Sequence, residues 1–297
     1  MSPFEGLEHI VRQEVPLAPY TRIKVGGTAE YFAEPTSLAE LLEVIQRANS
    51  HNIVVRTLGS GASLLIREHK IDGVLLHLSA PLFSEVTVEG DILQAGGGIN
   101  LNNLIAIAAR EGLSGLENLV GIAGTLGGAL RNNLDGSGIS VGGPGIGQWV
   151  EDVTVITRQG EVCTRTRSEL QFSHRQSSLN ELVILNARIK LIAGDKKEII
   201  QKMQKQWILV KNQQPAPDHH LAFVFKDPSG YQAADLIDRA GLKGAKVGRV
   251  SVSSRNANYL EVLPGATSEE VLDLLSQVEA TIEEKFEISL EQQLEIW

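Results

Sequence analysis

Apolar residues recur at helical spacing through residues 37–52, SLAELLEVIQRANSHN, with Ser37 where an N-cap belongs. The period then changes. IVVRTLG (53–59) is a β-branched apolar run and reads as a buried strand, followed by a glycine turn, a second short strand at 64–66 and another at 73–78. Two short strands flank the turn Glu89-Gly90-Asp91, and LNNLIAIAAREGL (101–113) reads as a helix ending near Gly112. Residues 150–166 form a hairpin pattern around Gln159-Gly160, and 182–192 alternates as a strand does. Residues 196–215 predict a connecting helix closed by Pro215. Beyond it, 230–242 and 267–288 are two amphipathic helices, the second opened by the capping-box pair Thr267 and Glu270, with strands at 247–253 and 257–263 between them. The pattern divides the chain into 1–80, 81–195 and 196–297, and the fold class is α+β.

Composition narrows the function classes. The chain has 297 residues, 42% hydrophobic and 21% charged, enough for two or three packed units. Its net charge is −9 with no basic stripe, which argues against a nucleic-acid partner. No stretch of about 18 apolar residues predicts a membrane span. The N-terminus lacks the basic start and apolar run of a secretory signal, so a cytoplasmic protein is expected. The single cysteine, Cys163, excludes an intrachain disulfide and a multi-cysteine metal site, and no metal is expected. Oligomeric state is not legible.

Glycine is the informative excess, because its 29 residues cluster. In TLGSGASLLI, Gly59, Ser60, Gly61, Ala62 and Ser63 form a turn between two strands, able to present backbone N–H groups to an anion. In GLENLVGIAGTLGGALRNN, Gly121, Ile122, Gly124, Thr125, Gly127, Gly128 and Asn133 belong to a second such stretch, where a helix start would add a favourable dipole. Tight packing explains either stretch alone. Two in one chain put a dinucleotide-type ligand on equal footing. The pattern is not a Rossmann fingerprint, since GSGASL opens no long helix and no acidic residue follows at the expected distance.

Several motifs occur in order along the chain: YTRIKVGGTAEYF, LGSGASLLIRE, GLENLVGIAGTLGGALRNN, HRQSS, VFKDP and ADLIDRAGLKGAKVG…VSSRNANYLEV. From about residue 15 onward this set resembles the UDP-N-acetylenolpyruvoylglucosamine reductases (UDP-N-acetylmuramate dehydrogenases), in their compact version. The resemblance implies a two-part, PCMH-like FAD-binding unit followed by a smaller α+β substrate domain. It implies FAD held by the two glycine stretches and NADPH as reductant. It also implies a UDP-sugar substrate whose enolpyruvyl double bond is reduced in the synthesis of peptidoglycan precursors for the cell wall.

Residue by residue, the resemblance holds at Arg175, the arginine suited to clamp an enolpyruvyl carboxylate, and at Ser177. It assigns Lys226 and Arg255 to substrate binding. It fails where the proton is handled. The family's proton-donating serine falls on Phe223, and its C-terminal glutamate falls on Gln293, which cannot titrate. His174 stands for a tyrosine, Asn256 for a histidine, Val262 near a substrate-binding asparagine, and Leu134 and Asp135 beside the retained Asn133 are atypical. Three readings follow: a diverged flavoenzyme with altered or weakened catalysis, in which His219, His220 or His174 could supply the proton; the ordinary reductase working with substituted residues; or a non-catalytic FAD-binding paralogue.

Overall fold

The structure, a computed structural model, describes residues 3–136, 143–215 and 220–297. The first unit contains β1 (Val11–Pro16), β2 (Thr28–Ala33), α1 (Leu38–Ser50), β3 (Val55–Leu58), β4 (Leu64–Leu65) and β5 (Ile71–His77). Four of these strands form a sheet in the order β1-β2-β5-β3, in which β5 runs parallel to both neighbours. Strands that are covered on both faces read as continuous apolar runs. Val74, Leu75 and Leu76 are fully buried, as that rule requires. Ser37 Oγ accepts the Glu40 amide and starts α1 as its sequence predicts.

The second unit contains β6 (Val86–Glu89), β7 (Ile92–Gly96), α2 (Leu101–Glu111), β8 (Leu113–Ser114), α3 (Leu126–Arg131), β9 (Val150–Ile156), β10 (Val162–Thr166), β11 (Phe172–Ser173), β12 (Gln176–Ser177), β13 (Val183–Lys190) and β14 (Ile192–Ala193). Its main sheet is antiparallel throughout, in the order β10-β9-β13-β7-β6. α2 ends at Gly112 in a left-handed conformation (φ 76°), the geometry glycine adopts without a Cβ clash. The α1 face Leu41, Val44 and Ile45 packs in one core with Ile156 and Val183, so the first two units share apolar surface. Cys163 lies half-buried in β10 against the second unit's core.

α4 (Lys196–Gln213) packs Val210 and Met203 against the second unit's core and leads to the third unit, which contains β15 (His220–Phe223), α5 (Ala233–Arg239), β16 (Lys246–Val247), β17 (Val250–Val252), β18 (Tyr259–Val262), α6 (Ser268–Phe286) and β19 (Glu295–Ile296). Its antiparallel sheet runs β15-β18-β17-β16, and α6 buries Val271, Leu274, Leu275, Val278 and Ile282 in the same core as that sheet. The Thr267–Glu270 capping box forms in full.

Two elements depart from their sequence pattern. α5 is shorter than 230–242, because Tyr231 N–H bonds back to Pro228 O and the Asp227 carboxylate accepts from Ala233 N–H, so a turn consumes 228–232. The strand expected at 247–253 is a tight hairpin, β16 and β17, turning through Gly248 at φ 52°.

β19 positions the site. It leaves the third unit and pairs in parallel with β4, Glu295 opposite Leu64, next to the first glycine turn. The segment ending in β19 is thereby brought to the first glycine turn rather than to its own unit.

Candidate functional site

The two glycine stretches meet. A Cβ on Gly59 would lie 3.1 Å from Thr125 Oγ1, so the turn after β3 faces the start of α3 directly. Thr125 caps α3, its Oγ1 accepting from Gly128 N–H. Gly61 has φ 62°, and a Cβ there would fall 2.2 Å from Tyr20 O, so this turn needs glycine for the close approach of its own backbone. Gly128 is different. It is exposed, and a Cβ there would meet only Thr125 Oγ1 at 3.6 Å, so its missing side chain leaves open space.

That space belongs to a cleft of about 950 Å³ between the three units. The cleft is at the upper end of the range for small-molecule and cofactor sites. Gly59, Ser60, Gly61, Ala62 and Ser63 line one part, and Ile122, Gly124, Thr125, Gly127 and Gly128 another. Gly121 and Asn133 support these walls from behind. Gly121 O accepts from Gln214 Nε2 at 3.1 Å, and Asn133 ties Ser173 O (2.7 Å) to Gly147 N–H (2.9 Å) while buried at φ 41°. Among the described residues, six Lys or Arg side chains line the cleft against three Asp or Glu, although the chain carries −9 overall. Such a lining draws an anionic ligand. Side-chain-free turns, an excess of positive charge and this volume fit a dinucleotide such as FAD.

Arg175, Phe223 and Gln293 all line the same cleft. Arg175 is buried, with a left-handed backbone (φ 53°) between β11 and β12, a conformation costing a non-glycine residue on the order of 1 kcal/mol. Its Nε lies 3.0 Å from Asp135 Oδ1, while the other carboxylate oxygen lies 3.0 Å from His174 Nδ1. Burial pushes the guanidinium pKa down, and the charges of Asp135 and Asp227 and the Tyr259 phenol oppose that shift.

Backbone bonds join the segment after Phe223 to the segment around Gln293. Gln293 N–H donates to Val224 O at 2.7 Å, and Lys226 N–H donates to Glu291 O at 2.9 Å. Asn258, buried, pins the other side, its Oδ1 accepting from Phe225 N–H and its Nδ2 donating to Phe225 O. The Gln293 Oε1 atom is buried and has no hydrogen-bond partner among the described residues.

Other sequence-assigned residues lie elsewhere. Lys226 Nζ pairs with Glu291, and Arg255 Nε donates to Asn212 O; neither lines the cleft. Ser177 Oγ donates to Arg131 O at 2.8 Å, holding the end of α3. His220 stands opposite Val262 on β18, and His174 projects to solvent. His219 lies outside the described residues.

Tyr259, Gln214, Arg22 and Arg131 also line the cleft. None was assigned a role from sequence. Arg22 sits in the YTRIKVGG motif, which was a signal. Tyr259 is one alternating position of a strand, and only strand pairing reveals its neighbour.

Comparison with known proteins follows the same division of the chain. Residues 214–297 match the family model described as UDP-N-acetylenolpyruvoylglucosamine reductase, C-terminal domain, and residues 29–166 match the FAD binding domain. The UDP-N-acetylenolpyruvoylglucosamine reductase of Rhodopirellula baltica is 34% identical over 293 residues, covering 99% of this chain and 94% of that protein. The UDP-N-acetylenolpyruvoylglucosamine reductase 2 of Bacillus cereus is 35% identical over 291 residues, covering 96% and 92%. The crystal structure of UDP-N-acetylenolpyruvylglucosamine reductase from Thermus caldophilus superposes with a TM-score of 0.81 at 30% identity, covering 97% of this chain and 99% of that one.

Proposed function

The chain belongs to the UDP-N-acetylenolpyruvoylglucosamine reductase family, and from that premise we propose that it is a diverged FAD-dependent reductase whose route for the proton has changed. It is an FAD-binding oxidoreductase with the family's α+β, PCMH-like architecture. Bound FAD supplies the hydride, drawn from NADPH. The two glycine turns hold the dinucleotide, and the cationic lining holds a small UDP-sugar-type substrate. Arg175, itself buried, orients an anionic group of that substrate in the cleft.

One observation carries the altered proton route. Phe223 and Gln293, at the positions where the family resemblance expects a proton-donating serine and a glutamate, line the cleft with Arg175, and Gln293 N–H bonds to the carbonyl of Val224, next to Phe223. That placement supports a site in which neither of those side chains is able to give up a proton.

The test is direct. The purified protein should be yellow with near-stoichiometric flavin. NADPH should bleach it, and UDP-GlcNAc-enolpyruvate should restore the colour under anaerobic conditions. A protein that takes up no FAD, or a reduced flavin that this substrate leaves untouched, would overturn the reading.

A further inference from the structure

Phe223 and Tyr259 are direct partners in the antiparallel β15–β18 ladder. Residues directly opposite in such a ladder project from the same face of the sheet. Here that face is the cleft, which both side chains line. Their ring centroids are 5.3 Å apart at 65°, an edge-to-face contact that fixes the phenol. A serine at 223 would carry its hydroxyl close to β15. The observed pair instead carries a hydroxyl on β18, at the end of a ring held against the ring of Phe223.

The surroundings of that phenol suit an acid. Tyr259 is almost fully buried. Burial pushes its pKa up to about 12, outweighing the pull of Arg22, of a hydrogen bond with Gln214 and of Arg175. The group is therefore protonated throughout the neutral range, available as a donor. Gln214 fixes it in turn, because its Nε2 is anchored on Gly121 O in the second glycine stretch. Arg22 and Arg175, both at the cleft, supply positive charge against which a phenolate can form. The histidines offer no such arrangement: the His174 ring is turned to solvent beside Asp135, and His220 does not line the cleft.

We propose that Tyr259 is the proton donor of this site, taking over the task of the hydroxyl that Phe223 displaces. The inference rests on the enolpyruvyl-reductase reading and adds the residue that completes it. Reduction of the enolpyruvyl double bond puts a hydride on the methylene carbon. The electron pair left on the carbon bearing the carboxylate then takes the phenolic proton, forming the second C–H bond. The phenolate that remains, stabilised by the charges of Arg22 and Arg175, is reprotonated from water before the next turnover.

Tyr259→Phe deletes one oxygen and keeps the ring contact. Anaerobic stopped-flow on the FAD-loaded protein should show NADPH reduction at the wild-type rate. Reoxidation by UDP-GlcNAc-enolpyruvate should slow by roughly 10²–10⁴-fold. The affinity of the oxidised protein for that substrate, read by calorimetry, should stay within about threefold, or about 0.7 kcal/mol, and the urea midpoint should hold. Adding Phe223→Ser to Tyr259→Phe should recover part of the lost rate by returning a hydroxyl to β15. Reoxidation of Tyr259→Phe at the wild-type rate would overturn the proposal, as would a rate loss matched by an equal loss of substrate affinity. Failure of the substrate to reoxidise the wild-type flavin would instead sink the reductase reading itself.

Discussion

Asp135 and Arg175 meet at 3.0 Å, although they come from two loops that the sequence separates by a strand hairpin. Both are buried, so their attraction is little screened by salt. The same carboxylate reaches His174, tying the left-handed turn at Arg175 to the loop that follows Asn133.

Asp135→Asn keeps the shape of this link and removes its charge. A buried arginine that loses its carboxylate partner typically destabilises a fold by about 3–5 kcal/mol. We expect a loss near the lower end, about 3 kcal/mol, because asparagine still accepts a hydrogen bond. Urea unfolding measures it, and a difference between wild type and Asp135→Asn that does not shrink with added salt confirms that the pair is buried.

Gly128→Ala separates cofactor fit from fold. An added Cβ meets only Thr125 Oγ1 at 3.6 Å, within helix α3. The cofactor-free protein should be as stable as wild type or up to about 1 kcal/mol more stable, because alanine favours a helix. FAD affinity should fall about tenfold or more, equivalent to about 1.4 kcal/mol, as the methyl enters the cleft. Gly61→Ala is the contrast: with φ 62° and Tyr20 O at 2.2 Å, it should lower stability whether or not FAD is present. Flavin retention and thermal melts, taken together, distinguish the two.

Glu68 joins the first unit to the third by accepting the amide and hydroxyl of Ser268 at the start of α6. Burial alone would raise its pKa, but the two bonds from Ser268 outweigh that and hold the carboxyl below its usual range. A carboxyl depressed in the folded state contributes stability that is complete above its unfolded value. That contribution is lost as pH falls through the lower folded value. This group should therefore give urea midpoints no pH dependence near neutrality, where its contribution is complete, and should make them decline on acidification below about 4.5. Glu68→Gln should flatten that decline while lowering the neutral midpoint.

Gln293 gives the cleft a hydrogen-bonding group that does not titrate. Gln293→Glu places an ionisable carboxyl at a half-buried position that lines the cleft, where the amide oxygen is shielded from solvent. The pH profile of flavin reoxidation should gain a limb that wild type lacks, and burial should move that limb above the ordinary carboxylate range. An unchanged profile would show that position 293 does not touch the proton route.

Much of this was legible along the chain because it is local. Period, caps and turns placed α1, α2, α4 and α6 and the hairpins, since those signals lie within a few residues of the structure they specify. The ends of α5 were not, because a side chain six residues away, Asp227, decides where that helix begins. The ordered motifs likewise placed Arg175, Phe223 and Gln293 at one site, and the cleft gathers them. Lys226 and Arg255 carried the right charge, but their final partners, Glu291 and Asn212 O, are chosen by packing.

The sequence by itself determined the α+β class, the two glycine-rich turns and a phenylalanine at the position where the family resemblance expects a serine, because each is a property of residue type and short spacing. Only the tertiary structure decided which loops face one another, that β19 returns to β4, and that Asp135 holds Arg175. Only strand register set Tyr259 opposite Phe223. Register depends on which strands pair and how the sheet packs, and a shift of one residue would have turned that phenol to the other face.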